Sequence, residues 1–451
     1  MIVAKFGGTS VGDPAAIERA AAVVHGRLAR QPIIVVSALA GTTNALLDLA
    51  AQASRGQFIV AIRGIQQLRE RHLAVVEELL GAGPEAAEVA AEVSMLCDEL
   101  AHLGEALSVL GDVSPRSLDA VAAYGERLSS PIVAAAFTQR GIPATWIDAR
   151  KVMITDGAFG KARPQGDAIA AAARDLVLPV VRAGRVPVLG GYIGSTPDGV
   201  TTTLGRGGSD YSAALVGAAV DADAIEIWTD VDGMLTADPR IIPQAKRIEH
   251  IRFDEAAELA SFGAKVLHPS TIAPAVERSI PVFIYNSYRP RAAGTRITSD
   301  APMMSVRAIA GRANVVLVNV KSSAMLGATG VVSAIFSVFE RYKLAIDVIA
   351  TSEVSVSVTL DADGNIDRVL DELRTFGDVT VERGRAIVAI VGAGLGQHTP
   401  TMARALAALG EMRVQMCSLS ASAINLTLIV DGDQLHEAMR RLHRAFFEEA
   451  A

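Results

Sequence analysis

Residues 1–10, MIVAKFGGTS, place a short apolar run, Ile2–Lys5, directly before a pair of glycines. An apolar run followed by a glycine turn and the helical pattern of residues 14–30 is typical of a buried strand in a β–α unit. Glycines after a strand let backbone N–H groups approach a phosphate, and Lys5 adds a positive charge there. The sequence contains no GxxxxGKS/T P-loop, so this stretch alone fits either a phosphate site or an ordinary tight turn.

The same alternation of strand and helix continues to about residue 295. Helical stretches rich in Ala, Leu and Glu separate the apolar runs, and residues 60–110 are nearly all helical, which indicates an insertion. This alternation predicts an α/β fold with an open, mainly parallel sheet covered by helices on both faces. The further predicted strands are Ile33–Val36, Ala144–Ile147, Val186–Leu189, Ala224–Trp228 and Val282–Tyr285.

The pattern changes after a boundary at residues 290–304, where Arg, Pro, Gly, Ser and Asp cluster. Two successive β-α-β-β-α-β patterns follow, and such a tandem repeat indicates a paired small-ligand module. The first has predicted strands at Val315–Val320, Ala345–Ala350, Val354–Leu360 and Val379–Val381 and helices at 328–341 and 366–376. The second has predicted strands at Ala386–Val391, 413–416 and 423–430 and helices at 400–409 and 434–446.

Composition narrows the classes of function. The 451 residues carry a net charge of -7, whereas nucleic-acid binders usually present a basic face. The longest apolar runs are interrupted well before the ~20 residues that a membrane span needs, and the first residues lack a signal-peptide pattern. Cys97 and Cys417 are the only cysteines and lack CxxC spacing, which excludes a disulfide framework and a cysteine-rich zinc site. We therefore expect a cytoplasmic protein without a nucleic-acid or membrane partner.

A second candidate site is TTTLGRGGSD, residues 201–210, which runs directly into the helical pattern of residues 211–219. Ser209 or Asp210 is suited to cap that helix, and the glycines and first helical amides make a concavity for an anion. Arg206 offers a planar fork that fits a carboxylate better than a lysine does. The Arg and the Thr triplet are not needed by a plain loop, so this stretch favours a binding site.

Shorter patterns place polar side chains at other strand and helix ends. Thr229 and Asp230 follow a predicted strand, at the edge where open α/β sheets bind ligands. Lys265 follows a glycine near a helix end, and Glu126 lies near the start of an amphipathic helix; Glu126 is uninformative alone. The run IVAIVGAGLG, residues 387–396, is similar to a dinucleotide fingerprint but lacks the third glycine, so a turn is the preferred interpretation.

Together and in this order, the motifs resemble the signature blocks of the aspartate kinase family over essentially the whole chain. TSEVSVSVTL, residues 351–360, is similar to the lysine-sensitive, single-function branch of that family. The other blocks are KFGGTS at 5–10, SALAGTTN at 37–44, GERLSS at 125–130, TTTLGRGGSDY at 201–211, WTDVDG at 228–233 with TADPR at 236–240, and FGAKVLHP at 262–269.

The resemblance implies an amino-acid-kinase α/β/α sandwich followed by two ACT domains of the α+β type. The kinase domain would span residues 1–295. The first ACT domain would comprise residues 305–384 together with a C-terminal segment of about 440–451, and the second, residues 385–440, would be inserted into it. The chains would associate at least as dimers through the ACT domains.

The resemblance also implies roles for individual residues. The catalytic set is Lys5, Lys265 and Asp210: the lysines contact the transferring phosphoryl group, and Asp210 orients Lys5. L-aspartate would place a carboxylate on Arg206 in a pocket completed by Thr43, Glu126, Gly207, Gly208 and Ser209. ATP, with Mg²⁺ carried mainly by the nucleotide, would bind to Lys5, Gly7, Gly8, Ser10, Thr229, Asp230, Leu235, Arg240, Lys265 and Val266. An allosteric amino acid, L-lysine, would bind near Met325, Asp347, Thr351, Ser352 and Glu353.

The chain departs from the family pattern at a few of these places. Leu235 stands where relatives often carry an adenine-contacting tyrosine, and Ala328 and Val331 stand where lysine-sensitive relatives carry a serine and an aromatic residue. The implied function is conversion of ATP and L-aspartate to ADP and 4-phospho-L-aspartate, the first step of lysine, threonine and methionine biosynthesis.

Two alternatives stay open. One is another amino-acid kinase, acting on glutamate or N-acetylglutamate, against which the tandem ACT-like tail and the GRGGSD block count. The other is a catalytically inactive amino-acid sensor that uses only its ACT pair, against which the retained Lys5, Arg206, Asp210 and Lys265 count. From the length of the chain we expect no fused homoserine dehydrogenase.

Overall fold

The computed structural model describes residues 1–263, 271–326, 330–362, 366–397, 399–419, 422 and 424–448, which form two compact units. The first unit contains residues 1–234 and 271–300. The second unit contains residues 235–263 and the described residues from Ala301 onward. The strands are β1 Ile2–Phe6, β2 Pro32–Val36, β3 Ala144–Ile147, β4 Val186–Gly190, β5 Ile193–Ser195, β6 Thr201–Thr203, β7 Ala224–Thr229, β8 His250–Arg252, β9 Val282–Asn286, β10 Thr295–Thr298, β11 Ala308–Lys321, β12 Ile349–Ser352, β13 Ser355–Asp361, β14 Asp378–Val391, β15 Met416–Leu419 and β16 Asn425–Asp431.

The helices connect these strands, and five of them, α2 to α6, follow one another between β2 and β3. A π-helical segment, Ala173–Val177, joins two of them, and another, Arg444–Glu448, extends the last. The α-helices are α1 Pro14–His25, α2 Thr42–Ser54, α3 Phe58–Leu80, α4 Pro84–Leu110, α5 Pro115–Ala122, α6 Tyr124–Gln139, α7 Gly166–Ala172, α8 Leu178–Arg182, α9 Gly208–Ala219, α10 Phe253–Ser261, α11 Ala273–Glu277, α12 Val331–Arg341, α13 Asp367–Leu373, α14 Thr399–Leu409 and α15 Leu435–His443.

The main sheet of the first unit has its strands in the order β3-β4-β2-β1-β7-β9-β10, and every neighbouring pair is parallel except β9–β10. All residues of β1 are buried, because helices cover both faces of the sheet. Phe6 and Trp228 pack among helices on one face, whereas Val3 and Ile225 lie against Gly217 of α9 on the other. The predicted α/β fold with a mainly parallel sheet is confirmed.

The predicted helical insertion is also confirmed. α3 and α4 pack against each other, and α3 buries apolar residues at intervals of three and four, such as Ile65, Leu68, Val75 and Leu79. These side chains belong to the same apolar core as the helices on the Phe6 face of the sheet. No described helix has the length and apolar character that crossing a membrane requires.

The second unit contains an antiparallel sheet in the order β12-β13-β11-β14-β16-β15. β11 and β14 each have 14 residues. Residues 315–321 of β11 pair with β13, whereas residues 385–391 of β14 pair with β16. The strands predicted at Val379–Val381 and Ala386–Val391 are therefore one continuous strand, in which Gly384 adopts a positive φ of 69° where the pairing with β11 shifts register.

Two other predicted strands are displaced. Residues 345–348 lie outside any strand and β12 begins at Ile349, because the N–H groups of Asp347 and Val348 both bond to Thr359 and interrupt the regular ladder. The strand predicted at 413–416 is β15, which begins only at Met416.

Two apolar cores divide this sheet into lobes. The first lobe, residues 315–382, has Val316, Phe339 and Leu373 in its core. The second lobe, residues 306–312 and 385–448, has Val388 and Leu428 in its core, together with Leu442 and the partly buried Phe446 and Phe447 of the C-terminal segment. The apolar side of α15 lies on the second lobe, so residues 440–448 do not complete the first lobe as expected.

Residues 235–263, which we expected within the kinase domain, belong to the compact second unit. Ala237 and Ile242 of this segment are buried in the core of the second lobe, which explains the assignment. The expected domain boundary near residue 295 stays a prediction.

Candidate active site

Residues from four of the sequence blocks surround one cavity of about 670 Å³ in the first unit. Because β1 and β2 are parallel, their carboxyl ends lie at one edge of the sheet, where open α/β folds bind ligands. The start of α9 and the start of α6 complete the walls. The predicted residues that line the cavity are Lys5, Gly8, Thr43, Glu126, Arg206, Gly207, Gly208, Ser209 and Asp210.

Lys5 and Asp210 form an ion pair in the wall of this cavity. The Lys5 Nζ lies 2.6 Å from Asp210 Oδ1, and the two side chains are only 11% and 13% exposed. Little water reaches the pair, so the attraction is stronger than it would be at an open surface. Lys5 is held at the end of β1 with its ammonium group at the cavity, which is the arrangement that the resemblance implies.

The helix α9 begins differently from our expectation. Its N-cap is Gly207, in the left-handed conformation at φ 71°, and neither Ser209 nor Asp210 caps it, because both lie in the first turn. The Asp210 carboxylate pairs with Lys5 instead, and Ser209 Oγ accepts a hydrogen bond of 3.0 Å from Ser37 Oγ. A Cβ at Gly191 would lie 2.7 Å from that of Ser209, so a glycine after β4 lets the helix approach the sheet.

Glu126, near the start of α6, presents a buried carboxyl group to the cavity. Its Oε1 accepts a hydrogen bond of 3.1 Å from the Ala38 N–H, and no described residue hydrogen-bonds its Oε2. Burial raises the pKa of Glu126 to about 8. A cation bound in the cavity would therefore find a carboxyl group that gains its charge on binding.

Several lining residues were missed by the sequence reasoning, among them Ser37, Asn44 and Tyr192. Burial raises the pKa of the Tyr192 hydroxyl, and the residue adopts a positive φ of 64° directly after the Gly190–Gly191 pair. That glycine pair after a predicted strand was the signal that could have drawn attention to this stretch. Ser37 and Asn44 lie in the SALAGTTN block, in which only Thr43 was singled out.

Asp119 of α5 is another residue that the sequence reasoning missed, and its hydrogen bonds support the backbone of the cavity wall. It is 2% exposed and accepts hydrogen bonds from the N–H groups of Gly160 and Thr203, both at 2.9 Å, and from Thr203 Oγ1 at 2.6 Å. Thr202 Oγ1 likewise lies 2.7 Å from Thr155 Oγ1 inside the protein. The hydroxyls of Thr202 and Thr203 therefore support the wall, and neither residue lines the cavity.

The glycine turn after β1 differs from our expectation at Gly7 and Ser10. The Gly7 N–H donates to the Trp228 carbonyl at 3.2 Å, so it is not free to bind a phosphate, whereas Gly8 lines the cavity. Ser10 is buried, and its hydroxyl donates to Ser287 Oγ at 2.8 Å. Gly7 and Ser10 thus fix the turn against the neighbouring strands.

The other residues implied for ATP are distributed over both units. In the first unit, Thr229 ends β7, and its hydroxyl donates to Asp230 Oδ1 at 3.2 Å. In the second unit, Leu235 is half-buried, and the exposed Arg240 forms a two-pronged ion pair with Asp238 at 2.6 and 3.0 Å. Lys265 and Val266 lie outside the described residues.

The residues implied for the effector lie in the first lobe, at the edge of the sheet. Thr351 and Ser352 are exposed on the edge strand β12, followed by the exposed Glu353, and Met325 is half-buried after β11. Burial raises the pKa of the Asp347 carboxyl even though it pairs with Arg312. Val331 begins α12, and Ala328 lies outside the described residues.

The described residues contain no group of three or more His, Cys, Asp or Glu side chains placed to hold a metal ion. The glycine-rich run after β14 serves packing: a Cβ at Gly392 would lie 2.4 Å from the Ser305 carbonyl oxygen. This close approach agrees with our preference for a turn over a dinucleotide site.

Comparison with known proteins gives matches along the whole chain. The amino acid kinase family model matches residues 1–286, and an ACT domain model matches residues 388–446. The lysine-sensitive aspartokinase 3 of Escherichia coli is 38% identical over 459 residues, covering 99% of both chains. The chloroplastic aspartokinase 1 of Arabidopsis thaliana is 35% identical, covering 99% of this chain and 80% of the relative.

Solved structures agree. The crystal structure of Escherichia coli aspartokinase III in complex with aspartate and ADP aligns with a TM-score of 0.86 at 37% identity, covering 99% of this chain and 100% of that one. The same enzyme in complex with lysine and aspartate aligns with a TM-score of 0.81 at 38% identity. Since the kinase model spans more than half of the residues and the relatives match from end to end, the chain belongs to the aspartokinase family, the kinases that phosphorylate the carboxylate of aspartate.

Proposed function

We propose that the cavity binds L-aspartate next to ATP and that the chain converts them to 4-phospho-L-aspartate and ADP. The observation that carries the proposal is that Lys5, paired with Asp210, shares one cavity with Arg206 and Glu126. Arg206 suits the α-carboxylate of the substrate, Glu126 suits its ammonium group, and Lys5 supplies positive charge for the phosphoryl oxygens.

The chemistry needs no general base. The side-chain carboxylate of aspartate is already ionised at pH 7 and attacks the γ-phosphorus of ATP directly, and ADP leaves. The protein therefore contributes positioning and charge neutralisation. Lys5 and the Gly8 turn lie on the side of the cavity formed by β1, whereas Arg206 and Ser209 lie on the side formed by α9.

Mg²⁺ fits this proposal as a companion of the nucleotide. The Asp210 carboxylate is paired with Lys5, and the described residues offer no cluster of metal ligands. We propose that the phosphates and water hold the ion, where it neutralises part of their charge.

Release of ADP in the presence of different acceptors tests the substrate assignment. We expect turnover with L-aspartate and, at equal concentration, at least about 10²-fold less with glutamate or N-acetylglutamate, because an extra methylene displaces the reacting carboxylate from the line of attack. A higher rate with either of those acids would show that the chain is a different amino-acid kinase, and no turnover with any acid would favour the sensor alternative.

The buried carboxyl group of Glu126 predicts a pH dependence. The pKa of Glu126 is about 8 in the folded protein, above the ordinary 4.5, so the folded state holds this proton more tightly than the unfolded state does. The resulting contribution to the free energy of unfolding is fully present below pH 4.5 and is lost as the pH rises through 8. Binding of the substrate's ammonium group must expel this proton at lower pH, so KM for aspartate should fall roughly 10²-fold as the pH rises from about 6 to about 8.5.

Calorimetry in buffers of different ionisation enthalpy should detect that proton release on aspartate binding. In Glu126→Gln, KM should be high and independent of pH over the same range, because no proton is exchanged. A wild-type KM that does not change with pH would refute this role for Glu126.

We propose that L-lysine inhibits the enzyme by binding at the β12 edge of the first lobe, and that chains pair there in the cytoplasm. The exposed apolar side chain of Ile349 in β12, at 44%, supports such pairing. Glu353→Gln should raise the lysine concentration for half-inhibition by about tenfold, the loss expected for one ion pair with the ligand. If no amino acid changes the rate or the melting temperature, the regulatory proposal is wrong.

A further inference from the structure

Asp119, in the middle of α5, connects two backbone segments of the cavity wall from behind. One carboxylate oxygen, Oδ2, accepts from the N–H groups of Gly160 and Thr203, and the other, Oδ1, accepts from Thr203 Oγ1. Asp119 is 2% exposed and does not line the cavity. Both of its oxygens are therefore used inside the protein, and any effect of Asp119 on a ligand must pass through the residues that it holds.

The two segments that this carboxylate joins stay in contact as far as the cavity. The Ala162 N–H donates to the Thr203 carbonyl at 3.0 Å, and a Cβ at Gly205 would lie 3.1 Å from the Gly160 carbonyl oxygen. Gly160 and Gly205 both line the cavity, and both have left-handed φ values, 83° and 77°. Since neither has a side chain, the position of the backbone itself defines this part of the wall.

Arg206 follows Gly205 directly, so its backbone continues from this wall. On its other side the Gly208 N–H donates to the Gly205 carbonyl at 3.0 Å, which forms the turn into α9. The backbone of Arg206 is thus fixed by α9 at one end and by Thr203 at the other. Thr203 is in turn held by two hydrogen bonds to Asp119.

We propose that Asp119 is a positioning residue for the phosphoryl acceptor: through Thr203 and Gly160 it holds the backbone that carries Arg206. This inference rests on the function proposed above, in which Arg206 binds a carboxylate of aspartate. A displaced guanidinium group loses the two parallel hydrogen bonds that give its fork affinity for a carboxylate, so the acceptor binds more weakly.

The kinetic consequence is selective for the acceptor. Lys5, assigned to the phosphoryl group, is held by β1 and by its ion pair with Asp210, and the Asp119 contacts do not include either residue. Loss of Asp119 should therefore raise KM for aspartate and leave KM for ATP nearly unchanged.

Two substitutions of Asp119 differ in the bonds that they keep. Asp119→Ala removes every acceptor, whereas Asp119→Asn keeps an oxygen for the two N–H groups and can donate its amide hydrogen to Thr203 Oγ1. We expect Asp119→Ala to raise KM for aspartate by about tenfold or more and Asp119→Asn by less than about threefold, with KM for ATP changed less than about twofold in both.

A milder pair of variants separates positioning from stability. Thr203→Val removes only the hydroxyl that donates to Asp119 and serves as the test if Asp119→Ala does not fold. Thr202→Val is the matched control, because Thr202 is its neighbour in β6, is equally buried, and bonds instead to Thr155 Oγ1 at 2.7 Å. Both changes should lower the melting temperature, but only Thr203→Val should raise KM for aspartate, by about threefold to tenfold.

The same substitution made in Arg206→Ala tests whether Asp119 acts through Arg206. In that background Asp119→Ala should lower kcat/KM for aspartate by less than about twofold, because the group that it positions is absent. Equal losses in both backgrounds would overturn the inference, as would an unchanged KM in folded Asp119→Ala and Thr203→Val, or an equal rise in Thr202→Val. Wild-type enzyme without aspartate-dependent ADP release would instead contradict the proposed function, so the two failures are distinguishable.

Discussion

Replacing Arg206 with alanine should lower kcat/KM for aspartate by roughly 10²-fold or more, with the larger part of the change in KM. Arg206 lies at the rim of the cavity between two left-handed glycines, Gly205 and Gly207, whose φ values are 77° and 71°. Arg206 lines the cavity, and a guanidinium fork there can bind a carboxylate with two parallel hydrogen bonds. Steady-state kinetics with aspartate varied at saturating ATP measure the effect.

Arg206→Lys is the matched control, since it keeps the charge but loses the planar fork. We expect an intermediate loss, because an ammonium group contacts a carboxylate as a point charge. KM for ATP should remain nearly unchanged in both variants. Normal aspartate kinetics in Arg206→Ala would mean that the cavity has been assigned to the wrong ligand.

Lys5→Met should lower kcat by about 10²- to 10³-fold, the usual scale for removing one group that stabilises charge in a transition state. KM for aspartate should change little, because the ammonium group is assigned to the phosphoryl oxygens. The same change leaves the Asp210 carboxylate, 13% exposed, without its partner. The variant should therefore also unfold at a lower temperature than the wild type.

The double variant Lys5→Met/Asp210→Asn separates these two effects. Removing the stranded charge should restore much of the melting temperature while the activity stays low. If activity and stability recover together, Lys5 contributes to structure rather than to phosphoryl transfer, and its catalytic assignment fails.

The sequence predicted the kinase fold and most of the cavity for a simple reason. Parallel strands bring their carboxyl ends together, so the polar motifs that follow β1 and β2 had to meet at one edge of the sheet. The bond between Ser37 and Ser209 depends on Gly191, the glycine after β4, which lets α9 approach the sheet closely. Such a distance between separate elements has no periodic signature in a sequence.

The regulatory region was predicted less well. The polar residues around Gly384 predict a break between two strands. The strand nevertheless continues through them, because β11 pairs with both parts of β14. The C-terminal segment was assigned to the wrong lobe by the resemblance, whereas Leu442 packs with Leu428. Both errors concern pairings across long sequence separations, which local patterns do not determine.

Trapping the product with hydroxylamine tests the central assignment most directly, because an acyl phosphate reacts with it to give a hydroxamate, whereas inorganic phosphate does not. We expect aspartyl hydroxamate to form in equal amount to the ADP released by the wild type, and both to fall together in Lys5→Met and Arg206→Ala. Release of ADP without hydroxamate would contradict phosphoryl transfer to the aspartate carboxylate.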